Sequence, residues 1–267
     1  MTPTLPTLFV PHGAPTFALR PGAAGAALTA MARSLPQPRA IVILSAHWQS
    51  ETPTVGCADR PETLHDFWGF PEALYLLRYP ASGCREAADA VVAALAAAGL
   101  PVQRDEQRGL DHGAWIPLRM MFPDADLPVI PLSIPRRGGP LAAYQLGQAL
   151  TSLTTQGFLI IASGNLTHNL GDFQQAGRSG QTPGYVREFP DWVAERLSAG
   201  DLASLLDYRR QAPGAVQAHP TEEHLLPLYV ALGAAGASAR MQRFHAGIDD
   251  YVLAMDAYAF SPHTATH

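Results

Sequence analysis

The chain has 267 residues, 47% of them hydrophobic and 15% charged, enough apolar content for a full core and unlike a disordered chain. The net charge is −5 with no basic run, which argues against nucleic acid as a partner. All 18 basic residues are arginine, which excludes a Schiff-base lysine, a pyridoxal phosphate lysine and a phosphate-loop lysine.

In chain order, Met1-Thr2-Pro3-Thr4 has no basic stretch ahead of an apolar core, and no apolar run is long enough to span a bilayer. Both features point to a cytoplasmic protein with no membrane partner. The first apolar run, Thr7–Val10, leads directly to Pro11-His12-Gly13-Ala14-Pro15. A helix is expected over Gly22–Ser34. The second run, Ala40–Ser45, leads to Ala46-His47-Trp48. His65 stands among aromatics in Thr63-Leu64-His65-Asp66-Phe67-Trp68-Gly69-Phe70-Pro71. An alanine-rich helix is expected over Arg85–Gly99, then the turn Leu110-Asp111-His112-Gly113-Ala114-Trp115, a strand at Pro128–Ser133 and a helix at Pro140–Thr154.

The third apolar run, Phe158–Ser163, leads to Gly164-Asn165-Leu166-Thr167-His168. Gln174 to Tyr185 is rich in Gly, Gln and Ser without periodicity, and reads as a long surface loop, either a passive connection or a lid. Helices are expected at Arg187–Ala199 and Leu202–Arg209. In His219-Pro220-Thr221-Glu222-Glu223-His224, Thr221 reads as the N-cap of an apolar helix from Leu225, with the two glutamates in its first turn. A strand near Ala239–Phe244 follows, with His245 in a structural role. Residues 261–267 form a polar tail holding His263 and His267, expected to be disordered. Cys57 and Cys84 cannot make a disulfide framework or a thiolate zinc site and read as reduced buried thiols.

Alternating strand-like and helix-like segments argue for an α/β layered fold with a central, largely parallel sheet flanked by helices. Unalternating Val/Ile/Leu runs read as strands buried on both faces. Ligands of open α/β sheets bind beyond the carboxyl ends of the strands, and three such ends here carry a histidine. If residues from His12 to His224 share one site, residues 1–260 form a single catalytic domain.

The pattern suggests a metal or acid–base site. His12 and His47 lie at two strand ends. His224, near the positive end of a helix dipole, is biased toward the neutral ring that a metal needs. His112, beside Asp111 and Gly113, and His168, between Asn165 and Asn169, suit proton transfer, because imidazole titrates near working pH. The aromatic segment around His65 reads either as one wall of a pocket for a planar substrate or as a packed loop. Three metal ligands plus two further histidines exceed what a closed structural zinc site needs, which favours an enzyme.

At these residues the chain resembles the DODA-type extradiol aromatic ring-opening dioxygenases, class III extradiol enzymes of the LigB type. The matching segments are Pro11–Pro15, Ser45–Trp48, His65–Pro71, Asp111–Trp115, Ser163–Asn165 with His168–Leu170, His219–Leu228 and Met255–Tyr258, in order along nearly the whole chain. The resemblance implies a LigB-like fold. It implies His12, His47 and His224 as ligands of one divalent metal, Fe(II) for activity, with Zn(II) possible as the bound ion. It implies His168 as the acid–base residue, His112 as a second pocket histidine, and a substrate pocket to which His65, Trp68 and Asn165 contribute. The reaction would insert O2 into a small catechol, one like 3,4-dihydroxyphenylalanine. Ala14 stands where the family often has serine, and Trp68 where glycine is common, so Trp68 is expected to narrow the pocket. LigB-type relatives use two histidines and a glutamate, which leaves Glu222, Glu223 and His219 as further candidates for the metal shell. A zinc-dependent hydrolase or lyase, or a non-catalytic metal-binding protein on the same scaffold, are the alternatives.

Overall fold

The computed structural model describes residues 4–261. Six strands build the main sheet: β1 (Thr7–Pro11), β2 (Ala40–Ser45), β3 (Val129–Pro131), β4 (Phe158–Gly164), β5 (Arg240–His245) and β6 (Ala257–Ser261). Their order is β3-β2-β4-β1-β6-β5. The first four run parallel; β6 and β5 close one edge antiparallel. Successive residues along a strand face opposite sides. Val42, Leu44, Ile160 and Ala162 accordingly enter one core while Ile41, Ile43, Leu159 and Ile161 enter the other. Both faces are therefore buried, which is why the runs are continuously apolar.

Helices cover the two faces. On one side lie α1 (Gly22–Ser34), through Leu28, and α3 (His112–Met121), through Trp115, Ile116 and Leu118. On the other lie α2 (Arg85–Ala97), α4 (Gly139–Thr154), α6 (Tyr185–Ala199) and α7 (Leu226–Ala235). Helix α7 is buried all round, from Leu226 through Ala234 except Leu232. Among the described residues no helix is long and apolar enough to cross a membrane.

Several expectations need correction. The stretch Gln174–Tyr185 is not one loop. Helix α5 (Leu170–Ser179) takes its first half, capped by the Asn169 side chain, which accepts from the Asp172 N–H, and ended by left-handed Gly180. Its core contacts are Phe173 and Ala176, three apart, too sparse among polar residues to stand out in the sequence. The segment Leu202–Arg209 is two short helices, Leu202–Leu206 and Tyr208–Gln211, parted where Asp207 leaves helical geometry. Thr221 does not cap α7: its hydroxyl donates to Glu223, and α7 begins at Leu226, with Pro227 in its first turn. Ser261 is not tail but the last residue of β6, paired with Arg240. The strand β6 escaped the sequence reading. His263 and His267 lie outside the described residues. Cys57 is buried and Cys84 half-buried, both free.

Candidate active site

The sheet register brings the site together. Ser163 of β4 pairs with Val10 of β1 on one side and Ser45 of β2 on the other. The three strands thus end level, and His12, His47, Asn165 and His168 leave from the same edge. Gly13, just after His12, turns the chain with φ +61°, a conformation that disfavours a side chain. Gly164 admits the chain carrying His224: a Cβ there would collide with the His224 carbonyl oxygen, which accepts the Asn165 N–H at 2.9 Å.

One nitrogen each from His12, His47 and His224 lies within 4.8 Å of the other two. His12 Nε2 and His47 Nε2 are 3.2 Å apart, and the buried His224 Nε2 has no hydrogen-bond partner. A buried polar atom left orphaned at the meeting point of imidazoles fits a metal ligand. His47 Nδ1 faces Asp66 Oδ2 at 3.8 Å, beyond hydrogen-bond reach. The other two rings are held from behind: His12 Nδ1 lies 2.9 Å from the Ser163 hydroxyl and His224 Nδ1 3.0 Å from Glu223 Oε1. Such partners fix tautomer and ring orientation and leave Nε2 turned toward the cluster. Asn165 works similarly on the backbone. Its Oδ1 accepts from the His12 and Gly13 N–H groups at 3.3 and 3.2 Å; it is fully buried and does not line the pocket.

His168 and His112 flank this cluster. The His168 ring stacks on His224 at 3.4 Å between centroids and 7° between planes. The His112 ring lies 4.0 Å from His47. Asp66, which the sequence reading did not single out, accepts from the His112 backbone N–H at 2.8 Å and lies 3.0 Å from its Nδ1. Asp111, the acid next to His112 in sequence, instead caps α3 through the Ala114 N–H and takes hydrogen bonds from Ser45 and Arg108. The Asp66–His112 pairing crosses 46 residues of sequence, which no local spacing reveals.

Burial governs the site's protonation. It lowers His12 and His224 well below the ordinary imidazole range, and neighbouring histidines add to the effect. It lowers His47 to about 4 and His168 to about 4, so these rings are neutral at pH 7, the state a metal ligand needs. His168 is thus a weaker base in the metal-free protein than its type suggests. Burial alone would raise Asp66, but hydrogen bonds and charge from His112 outweigh it and hold the carboxyl at about 2.

The cluster opens into a cavity of about 460 Å³, within the usual range for small-molecule sites. Phe67, Phe70, Phe173, Leu170, Pro15 and Leu253 supply most of its apolar wall. Helix α5 contributes Leu170, Phe173 and Gln174; of the segment Gln174–Tyr185, only Gln174 lines this pocket. Trp68 lines the mouth but is 87% exposed; it stands at the rim rather than constricting the interior. His65 is not brought to the pocket: its ring packs behind Phe67 at 5.7 Å and its Nε2 meets the Leu77 carbonyl. His219 is fully buried, with Nε2 2.7 Å from the Leu166 carbonyl, and is outside the three-nitrogen cluster. Glu222 accepts from the Tyr208 hydroxyl. Glu223 Oε1 serves both Thr221 and His224 Nδ1, the side of that ring away from Nε2. His245 is half-buried and outside the cluster.

Residues 24–253 match the family of the catalytic LigB subunit of aromatic ring-opening dioxygenase. A 4,5-DOPA dioxygenase extradiol from Beta vulgaris is 36% identical over 259 residues, covering 96% of each chain. A protein of the same description from Escherichia coli strain K12 is 36% identical, covering 86% of this chain and 85% of its own. The crystal structure of an uncharacterised Escherichia coli K12 protein superposes with a TM-score of 0.79 at 29% identity, over 96% of this chain and 99% of that one. With a histidine-rich site at the carboxyl ends of a largely parallel sheet, the chain belongs to the LigB family of aromatic ring-opening dioxygenases and is an extradiol dioxygenase.

Proposed function

We propose that the protein opens the ring of a small catechol of the 3,4-dihydroxyphenyl type, using one Fe(II) held by His12, His47 and His224. The convergence of these three nitrogens beside two further pocket histidines carries the reading. The names of the relatives support the ring type. A facial set of three protein ligands leaves coordination positions for a diol and O2, and bound iron would acidify the diol and supply the redox chemistry that O2 needs.

The chain's own residues do the rest. His168, neutral at pH 7 and on the pocket wall, takes a proton from a diol hydroxyl and returns it later in the reaction. His112, held at Nδ1 by Asp66, presents its other nitrogen to orient the substrate. Phe67 and Phe173 flank the ring's space and exclude water.

The test is O2 uptake by protein reconstituted anaerobically with Fe(II), against a panel of catechols, with the yellow ring-opened product followed in the near-UV and visible. Uptake matched to product supports the reading. No uptake with iron demonstrably bound refutes it, and turnover of a hydrolysable substrate by the Zn(II) form without O2 would select the zinc hydrolase.

A further inference from the structure

The relatives named for 4,5-DOPA act on a catechol whose side chain carries both an ammonium and a carboxylate, so the charge lining this pocket decides how closely the chain follows them. Among the described residues no arginine lines the cavity, and the chain has no lysine. The nearby arginines are engaged elsewhere. Arg78 donates to the Tyr75 and Leu77 carbonyls, and Arg108 pairs with Asp111 and lies over the Trp48 ring. Besides histidines, the polar side chains on the wall are Asp66, a carboxylate, and Gln174, a neutral amide. The rest is apolar. Two of the chain's exposed large hydrophobic residues, Trp68 at 87% and Leu170 at 65%, stand at this pocket. Exposed apolar groups gathered at a cavity mouth mark a surface that a ligand covers. A carboxylate moved there gives up water and gains no cation, whereas an alkyl or aryl group buries against Trp68, Leu170, Phe70 and Phe173.

Resting on the reading of this cavity as the catechol site, we propose that it selects catechols whose ring substituent is uncharged and apolar, alkyl or aryl, over those bearing a carboxylate. The diol end is common to all of them, so discrimination falls on the substituent and on the rim formed by Trp68, Phe70, Leu170 and Phe173.

The test is a matched series measured in two ways at pH 8, above the ordinary imidazole range. The Zn(II)-loaded protein, inert toward O2, is titrated calorimetrically with 4-ethylcatechol, 3,4-dihydroxyphenylacetate, dopamine and 3,4-dihydroxyphenylalanine. The Fe(II) protein is assayed for O2 uptake with the same four. We expect 4-ethylcatechol to bind at least tenfold more tightly than each carboxylate-bearing member, and kcat/KM to follow the same order. Gln174→Arg, at an exposed helical position on the wall, should bring 3,4-dihydroxyphenylacetate within a few-fold of 4-ethylcatechol. Equal or tighter binding of a carboxylate-bearing member overturns the proposal. So does an unchanged ratio in the Gln174 variant, or no binding of any catechol. Absent O2 uptake with the binding order intact refutes the dioxygenase reading alone and leaves the selectivity standing.

Discussion

Glu223→Gln separates a residue that orients a ligand from one that binds the metal. Glu223 Oε1 lies 3.0 Å from His224 Nδ1 and accepts the Thr221 hydroxyl at 2.9 Å, so it sits behind the ring whose Nε2 joins the three-nitrogen cluster. The amide keeps the shape of the side chain and loses the charge that raises ligand basicity and holds the tautomer. Losing a partner of this kind typically weakens metal binding about 10–100-fold, about 1–3 kcal/mol. Competition between the protein and a chelator of known affinity for Zn(II), at fixed pH, measures that ratio directly. The variant should still bind one equivalent of metal at saturation, with the dissociation constant raised within that range. An unchanged constant would mean that the carboxylate does nothing for His224. Loss of the bound equivalent even at saturation would mean that Glu223 is itself a ligand, and that the ring geometry has been misread.

Other expectations follow from the same geometry. His168→Ala should keep its metal and lose turnover by about 10²–10⁴-fold, because the ring lines the pocket outside the three-nitrogen cluster; turnover at the parent rate would remove its acid–base role. His224→Ala should lose the metal, as read by metal analysis after gel filtration; full retention would move the ligand role to a neighbour. Gly164→Ala should displace the His224 carbonyl, weaken metal binding more than tenfold and lower Tm by a few degrees, since a Cβ there has no room; unchanged metal affinity would show that the strand end tolerates the shift. In metal-free protein, burial keeps His219 neutral down to about pH 3, and His47 and His168 down to about 4. The unfolded chain takes up those protons near pH 6.5, so stability should be full above that pH and fall as pH drops toward 4, by up to about 1.4 kcal/mol per pH unit for each histidine. A denaturation midpoint that stays flat between pH 6.5 and 4 would refute the assignment.

Much of this protein is written in local pattern. Continuous apolar runs at Ala40–Ser45 and Phe158–Ser163 announce strands buried on both faces, because a strand between two helical layers has no wet side. The histidines that follow them are legible for the same reason: strand ends in such sheets open onto the ligand site. The tertiary structure decided what depends on contacts distant in sequence. It made Asp66 rather than adjacent Asp111 the partner of His112, placed Ser163 behind His12, and withdrew His65 and Asn165 from the cavity wall. It also turned the polar stretch after Asn169 into a helix, where an Asn cap, a left-handed glycine and a sparse apolar stripe outweigh weak periodicity. Side-chain type and spacing report which face a residue takes within its own element. Which groups meet across elements is set by register and packing, and there the carboxylate that orients His112 is chosen.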